Sequence, residues 1–505
     1  HSASLHSNRG FSCVAMEISC RLPFATYRMT GAARTSAKPP SITRVARLRR
    51  LAMSVTARLT HGSIRGHLIE QTLPMMIGVA ALMSVGLVNA YFIGRLGADE
   101  LAAVAFIFPV TIAISSLGVG VMVGINSVIA RALGAGDVNR AARRANFGAV
   151  FALAVGIVLG IAQFAVIEPL FRLMQAPDAL MPLIAEYMRP YSLGLPMLML
   201  QMGLNGVLRG QGEARATGYI GVCYAATNWV LTPVLINGWM SIPALGVAGA
   251  AWAANIGFAL AAGLALLLIA RTPLPIRPGL IRECRVGESA GAILRVAGPA
   301  AFSNAINPIG LMVLTALLAT QGNAAIAAFG AAGRIQSFAV VPLLALSGSI
   351  GAIVGQNWGA GQYVRARRAM WEAGLFAVAY GLAIAAVLFA FGDPLAQLFT
   401  DDPAVEREFK RYLALSVWGY GGFGVLITAN GALNAIDRAR FALAQSFARV
   451  FLLMLPFAWL MRGAWGADAI YAAELVANVG GGGLAGWIVW RMLRRPDARA
   501  PVIVR

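Results

Sequence analysis

Charge is scarce in this 505-residue chain. Asp, Glu, Lys and Arg together make up 12% of it, half the roughly 25% of an ordinary soluble domain. A chain this long with so little charge is neither a soluble globular enzyme nor a disordered protein. Histidine is nearly absent too: His1, His6, His61 and His67 all precede the first long apolar run, which leaves no material for a histidine proton relay inside the apolar segments. Lysine occurs only at Lys38 and Lys410, so the basic residues are almost all arginine. Cys13, Cys20, Cys223 and Cys284 have neither metal-ligand nor disulfide-framework spacing. What is present is apolar surface: 58% of the residues are hydrophobic, the composition of a polytopic membrane protein.

A membrane helix needs about 20 mostly apolar residues. Runs that meet this test, or nearly so, cover 71–94, 101–130, 145–167, 190–208, 335–364, 373–392 and 412–436. The run 216–270 is long enough for two spans and carries a turn signal at Asn237-Gly238 and Pro243. The run 296–333 breaks at Gln321-Gly322-Asn323, and two further spans, 441–461 and 469–490, hold one charge each. The count is twelve. With the N-terminus inside, 21 Arg fall on inside loops and the C-terminal tail, against 7 Arg or Lys on outside loops. Cytoplasmic loops are the basic ones, so both termini are expected in the cytoplasm. The net charge of +20 is then a topology signal, and its division among short loops argues against a nucleic-acid partner. Residues 1–52 are Arg- and Ser-rich with a single acid, Glu17, and are expected to be a non-native or disordered extension. The expected organisation continues with an N-lobe over 53–280, a C-lobe over 281–495 and a cytoplasmic tail over 496–505.

The halves repeat at a constant offset of 225 residues. Pro74 pairs with Pro299, Gly134-Ala135-Gly136 with Gly359-Ala360-Gly361, Arg140 with Arg365, Pro169-Leu170 with Pro394-Leu395, and Asn205-Gly206 with Asn430-Gly431. Chance apolar similarity does not keep Gly and Arg in register. Six spans per half give both halves the same orientation, a parallel repeat about the membrane normal, with the substrate site expected between the halves. The fold class is therefore an all-α integral membrane protein, twelve transmembrane helices in two six-helix lobes.

The run Val354-Gly355-Gln356-Asn357-Trp358-Gly359-Ala360-Gly361 followed by Arg365-Ala366-Arg367 resembles the MATE (multidrug and toxic compound extrusion) family. So do Leu208-Arg209-Gly210-Gln211-Gly212, the segment Gly246–Trp252 and Ile93-Gly94-Arg95-Leu96-Gly97. The resemblance covers about 60–495 and is nearest the DinF-like bacterial branch. It implies an efflux antiporter of the bacterial inner membrane, monomeric, exporting amphipathic organic compounds by alternating access. It also implies no cofactor beyond the coupling ion, H⁺ or Na⁺, and no catalysis. The alternative on the same plan is a flippase of lipid-linked saccharides, whose cavity would want clustered Arg for phosphate.

Polar groups inside spans are the site candidates. The resemblance implies carboxylates where this chain has Asn89 in span 1, Thr232 in span 5 and Asn307 in span 7; Asn228 matches the span-5 pattern. At ~1.5 Å rise per residue, Asn89 and Thr232 lie ~8 Å below the outer boundary, and Asn228 and Asn255 ~13 Å. These four are expected to form one patch of neutral oxygens for substrate or Na⁺; the alternative is interhelical bonding worth about 0.6 kcal/mol per pair. In the C-lobe, Arg334, Arg449 and Glu474 fall at depths their side chains can bridge. They read either as a salt bridge that fixes the lobe or as a network in which Glu474, the only carboxylate within a span, is the protonatable switch. Residues forming a metal site are not found. Met197, Met199 and Met202 of span 4 and Trp418, Tyr420 and Phe423 of span 10 offer the adaptable surface of a promiscuous cavity.

Overall fold

The computed structural model describes residues 57–240, 243–274, 276 and 286–494. The expected extension 1–52, the tail 496–505 and the lobe boundary at 280/281 lie outside the described residues.

The first half runs through α1 (Ile64–Gly94), α2 (Ala98–Gly134), α3 (Val138–Leu173), α4 (Met181–Gln211), α5 (Ala214–Asn237) and α6 (Gly246–Ala270). The second comprises α7 (Val286–Leu318), α8 (Asn323–Ala339), α9 (Val341–Gly359), α10 (Tyr363–Ala390), the short α11 (Gly392–Gln397), α12 (Pro403–Leu415), α13 (Tyr420–Ala435), α14 (Ala439–Phe447), α15 (Leu455–Trp465) and α16 (Ala467–Arg494). Ten passes are long and apolar enough to cross a membrane, and α8 with α9, bent by 41°, make an eleventh. Helix α4 is the twelfth: 31 residues, ~46 Å long, and more polar because it carries Glu186, Arg189, Gln201 and Arg209.

Several helices begin before their apolar runs, because a polar cap starts them in the basic loops. Asp137 Oδ1 accepts from the Arg140 amide at 2.9 Å and opens α3, and Ser63 Oγ accepts from the Gly66 amide at 3.2 Å and opens α1. The Ser63 cap draws His67 into the first turn of α1, and α10, which starts at Tyr363 without a side-chain cap, includes Glu372. Three passes of the second half are interrupted. Pro342 sits in the first turn of α9, just past the α8–α9 bend. A 3₁₀ turn at Val417–Gly419 joins α12 to α13. Residues Ala448–Met454 form a π-helical stretch ahead of Pro456, the widened turn that absorbs a ring with no amide to donate.

The repeat is visible as twin contacts. A β-carbon on Gly134 would collide with the Gln356 carbonyl, and one on Gly359 with the Arg131 carbonyl; each partner is offset by 225. Within the lobes, Gly206 packs on the Met122 carbonyl of α2, and Gly431 on the Ser347 carbonyl of α9, again at that offset. Small residues let helix backbones approach this closely. Gly355 lies against Ala130, its own counterpart in the other half, so the pseudo-two-fold axis passes between α2 and α9.

Candidate functional site

The halves are joined at the Arg-rich end of the bundle. Ser127 Oγ donates to the Asn434 carbonyl at 2.6 Å, Thr72 Oγ1 to Ser349 Oγ at 3.2 Å, and Arg131 pairs with Asp437 at 3.2 Å. Gln356 donates to the Gly210 carbonyl at 3.0 Å and accepts from the Leu59 amide at 3.3 Å; Asn357 donates to the Leu59 carbonyl at 3.1 Å. The Gln-Asn pair of the sequence motif thus clamps the turn Arg58–Thr60 and the end of α4 into a floor. Toward the other end, the β positions of Gly86 and Gly94 on α1 and of Gly330 and Gly333 on α8 meet nothing within 4 Å. The described side-chain bonds between the halves thus gather at the Arg-rich end.

On the N-lobe side, Thr232 Oγ1 donates to Asn89 Oδ1 at 3.1 Å, joining α5 to α1. One turn deeper, Asn228 is fully buried; its Nδ2 returns to the Tyr224 carbonyl at 2.8 Å, and its Oδ1 has no partner. Asn255 does not join this group. Its Nδ2 donates to the Pro190 carbonyl of α4 at 2.6 Å, and Gly194 leaves the room for it. The expected single patch is therefore an Asn89–Thr232 pair, an Asn228 with a free carbonyl oxygen, and an Asn255 turned toward α4. Tyr224, stacked on Phe258 with centroids 4.9 Å apart, gives the lobe interior an aromatic wall that the analysis of charge and amides passed over.

In the C-lobe, Glu474 makes no ion pair. It is 1% exposed and accepts three bonds from neutral donors: Tyr412 Oη at 2.8 Å, Ser416 Oγ at 2.6 Å and Gln336 Nε2 at 3.0 Å. Ser416 is freed to point there because it lies at the break between α12 and α13. Arg449, in the π-helical stretch, donates from Nε to Asn478 Oδ1 at 2.9 Å and from Nη1 to Asn307 Oδ1 at 2.5 Å; its guanidinium lies over the Phe423 ring, 4.9 Å from the centroid. Arg334 is exposed and lines a cavity of about 320 Å³ with Phe399, Val405 and Phe409. The bridge expected among Arg334, Arg449 and Glu474 is replaced by two separate centres. Depth along each helix was readable, but the direction of each side chain around its helix was not. Tyr412 and Ser416, four apart and one turn from each other, were the missed signal for the Glu474 pocket. Glu372 also enters a helix, where Arg368 holds it at 2.8 Å and Arg65 at 3.7 Å.

The MatE family model matches residues 74–234 and again 299–460, the two halves at the offset of the repeat. The chain belongs to the MATE family. Among its relatives is the FAD transporter of Shewanella oneidensis, 34% identical over 82% of this chain and 91% of that one. Another is the probable multidrug resistance protein NorM of Deinococcus radiodurans, 30% identical over 76% and 85%. The crystal structure of the Vibrio cholerae MATE transporter VcmN in the bent form superposes with a TM-score of 0.80 at 27% identity, covering 88% of this chain and 98% of that one. The chain is a multi-pass membrane transporter of this family, built on the twelve-helix, two-lobe plan.

Proposed function

We propose that this MATE transporter exports small organic compounds by alternating access, that its Arg-rich end is cytoplasmic, and that protons drive it through Glu474. The observation that carries the reading is the contact between the halves at the Arg-rich end. Two lobes related by a two-fold repeat meet at one end through backbone-close helix pairs and a few side-chain bonds, a contact that rocking can exchange for its opposite. The 21-to-7 distribution of basic residues supports placing the closed end inside. Compounds carried by relatives named a FAD transporter and a multidrug resistance protein bound the substrate class.

Glu474 is supported as the coupling group because it is a lone carboxylate among neutral donors. Its donors come from α8, from α12 and from the break between α12 and α13, and an ionisable residue within a span is a functional candidate. A Na⁺ site would need several oxygens on one centre, whereas Asn89 Oδ1 already accepts from Thr232 and Asn255 faces α4. The test is transport in proteoliposomes under an imposed ΔpH or an imposed ΔNa⁺. Export driven by ΔpH alone supports the reading; export that follows ΔNa⁺ alone moves coupling to the N-lobe oxygens.

A further inference from the structure

The repeat creates two twin seats at the Arg-rich end, and they are filled differently. At the offset of 225, Arg131 is the counterpart of Gln356, and Gly212 of Asp437. Gly212 follows α4 and Asp437 comes just after α13, both in the left-handed region at φ 81° and 66°. In one seat the halves are joined by charge. Arg131 of α2 pairs with Asp437 at 3.2 Å, and Arg295 of α7 approaches the same carboxylate at 3.8 Å. In the other seat the counterparts are a glycine and an amide, which cannot form an ion pair. A piece of main chain is held there instead.

That piece is the turn Arg58–Thr60. The second half holds it from one side. The Leu59 amide donates to Gln356 Oε1 at 3.3 Å, the Leu59 carbonyl accepts from Asn357 Nδ2 at 3.1 Å, and the His61 carbonyl accepts from Arg365 Nη2 at 3.1 Å. The Leu59 side chain is fully buried, in one apolar cluster with Ile350 and Ile353 of α9. The first half holds the turn from the other side. Arg58 pairs with Glu213 at 3.3 Å and donates to the Gly212 carbonyl, and a β-carbon on Gly212 would collide with the Leu59 side chain. A segment that precedes α1 is thus seated in the apolar core of the second half and bonded to both halves.

Separating the halves at this end must break one set of these contacts. Charges of an ion pair that parts into water regain their hydration. A leucine that parts from its apolar neighbours regains nothing comparable. The two seats therefore resist opening differently, and the one filled by Leu59 gives the firmer hold. We propose that Arg58–Thr60 is a strap, with Leu59 as its plug, that holds the halves together at the Arg-rich end and sets how often that end opens. This rests on the alternating-access reading above and adds a restraint to it.

The test uses the full-length protein in detergent, with Cys13, Cys20, Cys223 and Cys284 replaced. Ser349→Cys, 1% exposed, reports opening through its rate of labelling by a water-soluble thiol reagent. Ser192→Cys, equally buried but ~28 Å along α4 from its Arg-rich end, reports general loosening. Leu59→Ala should speed labelling of Ser349→Cys at least fivefold. Arg58→Glu, which sets two carboxylates against each other where the ion pair is partly exposed, should speed it at least twofold. Labelling of Ser192→Cys should not change in either. Gly359→Leu, which forces a side chain against the Arg131 carbonyl, is the positive control. Unchanged labelling of Ser349→Cys in both strap variants, with fast labelling in Gly359→Leu, overturns the strap and leaves alternating access standing. Equal acceleration at Ser192→Cys also overturns the strap, since Leu59 would then only support the fold. Slow labelling even in Gly359→Leu overturns both the strap and the opening of this end.

Discussion

At the residue scale, the interior of the second lobe keeps Glu474 and Arg449 apart. Glu474 and Arg449 occupy one lobe, and Asn478, one turn from Glu474 on α16, is bonded to Arg449. Yet neither charge contacts the other. Each is satisfied by neutral groups. Glu474→Gln keeps the size and the ability to bond Tyr412 and Ser416, so we predict normal membrane expression and loss of ΔpH-driven transport; full ΔpH-driven transport in the variant would make Glu474 structural. Tyr412→Phe removes one bond to the carboxylate, an interaction worth about 1.5–3 kcal/mol when the partner is charged. It is expected to lower ΔpH-driven transport several-fold at unchanged expression; wild-type transport in the variant would detach Tyr412 from coupling. In the N-lobe, Thr232→Val leaves Asn89 Oδ1 without its donor. A loss of stability of about 0.6 kcal/mol, the usual worth of one interhelical bond in a membrane, is expected, read as a small drop in melting temperature in detergent.

At the element scale, close helix crossings do the work of the gate. Gly134 and Gly359 are twins at the α2–α9 crossing, and a side chain at either collides with a carbonyl of the other lobe. Gly359→Leu and Gly134→Leu should therefore both hold the Arg-rich end open, to similar extents. A cysteine at Ser349, 1% exposed in the closed floor, should then label faster with a water-soluble thiol reagent in either variant. Gly374→Leu, whose β position meets nothing within 4 Å, is the control. Equal labelling in all three would remove the crossing from the gate. These crossings were foreshadowed by the Gly-Ala-Gly register at an offset of 225, since glycine and arginine spacing survives in a sequence that is otherwise uniformly apolar. The helix interruptions were less legible. The π-helical stretch around Arg449 and the turn at Val417–Gly419 lie in segments that are almost wholly apolar or small, so periodicity carries no mark of a break; Pro456 alone hinted at the first. The hydrogen bond of Asn255 was not legible for a similar reason. Its partner is the Pro190 carbonyl, a backbone group that no residue type announces.

At the scale of the whole molecule, the two lobes are one plan used twice with different contents. The N-lobe interior holds Asn89, Thr232, Asn228 and the stacked Tyr224 and Phe258; the C-lobe interior holds Glu474 and Arg449. Composition and spacing were enough for the twelve passes and the repeat, because membrane depth and loop charge constrain them strongly, while the family was legible only through motifs such as Val354–Gly361 that resemble it. How the side chains face around each helix is set by packing, and it became visible only in the folded chain. The central claim is that the lobes exchange a closed Arg-rich end for an open one in every transport cycle. Thr72 and Ser349 face each other across that end, oxygen to oxygen at 3.2 Å. In a chain with Cys13, Cys20, Cys223 and Cys284 replaced, Thr72→Cys with Ser349→Cys should crosslink on oxidation and stop transport, and a reductant should restore it. Undiminished transport by the fully crosslinked protein would contradict alternating access between the lobes.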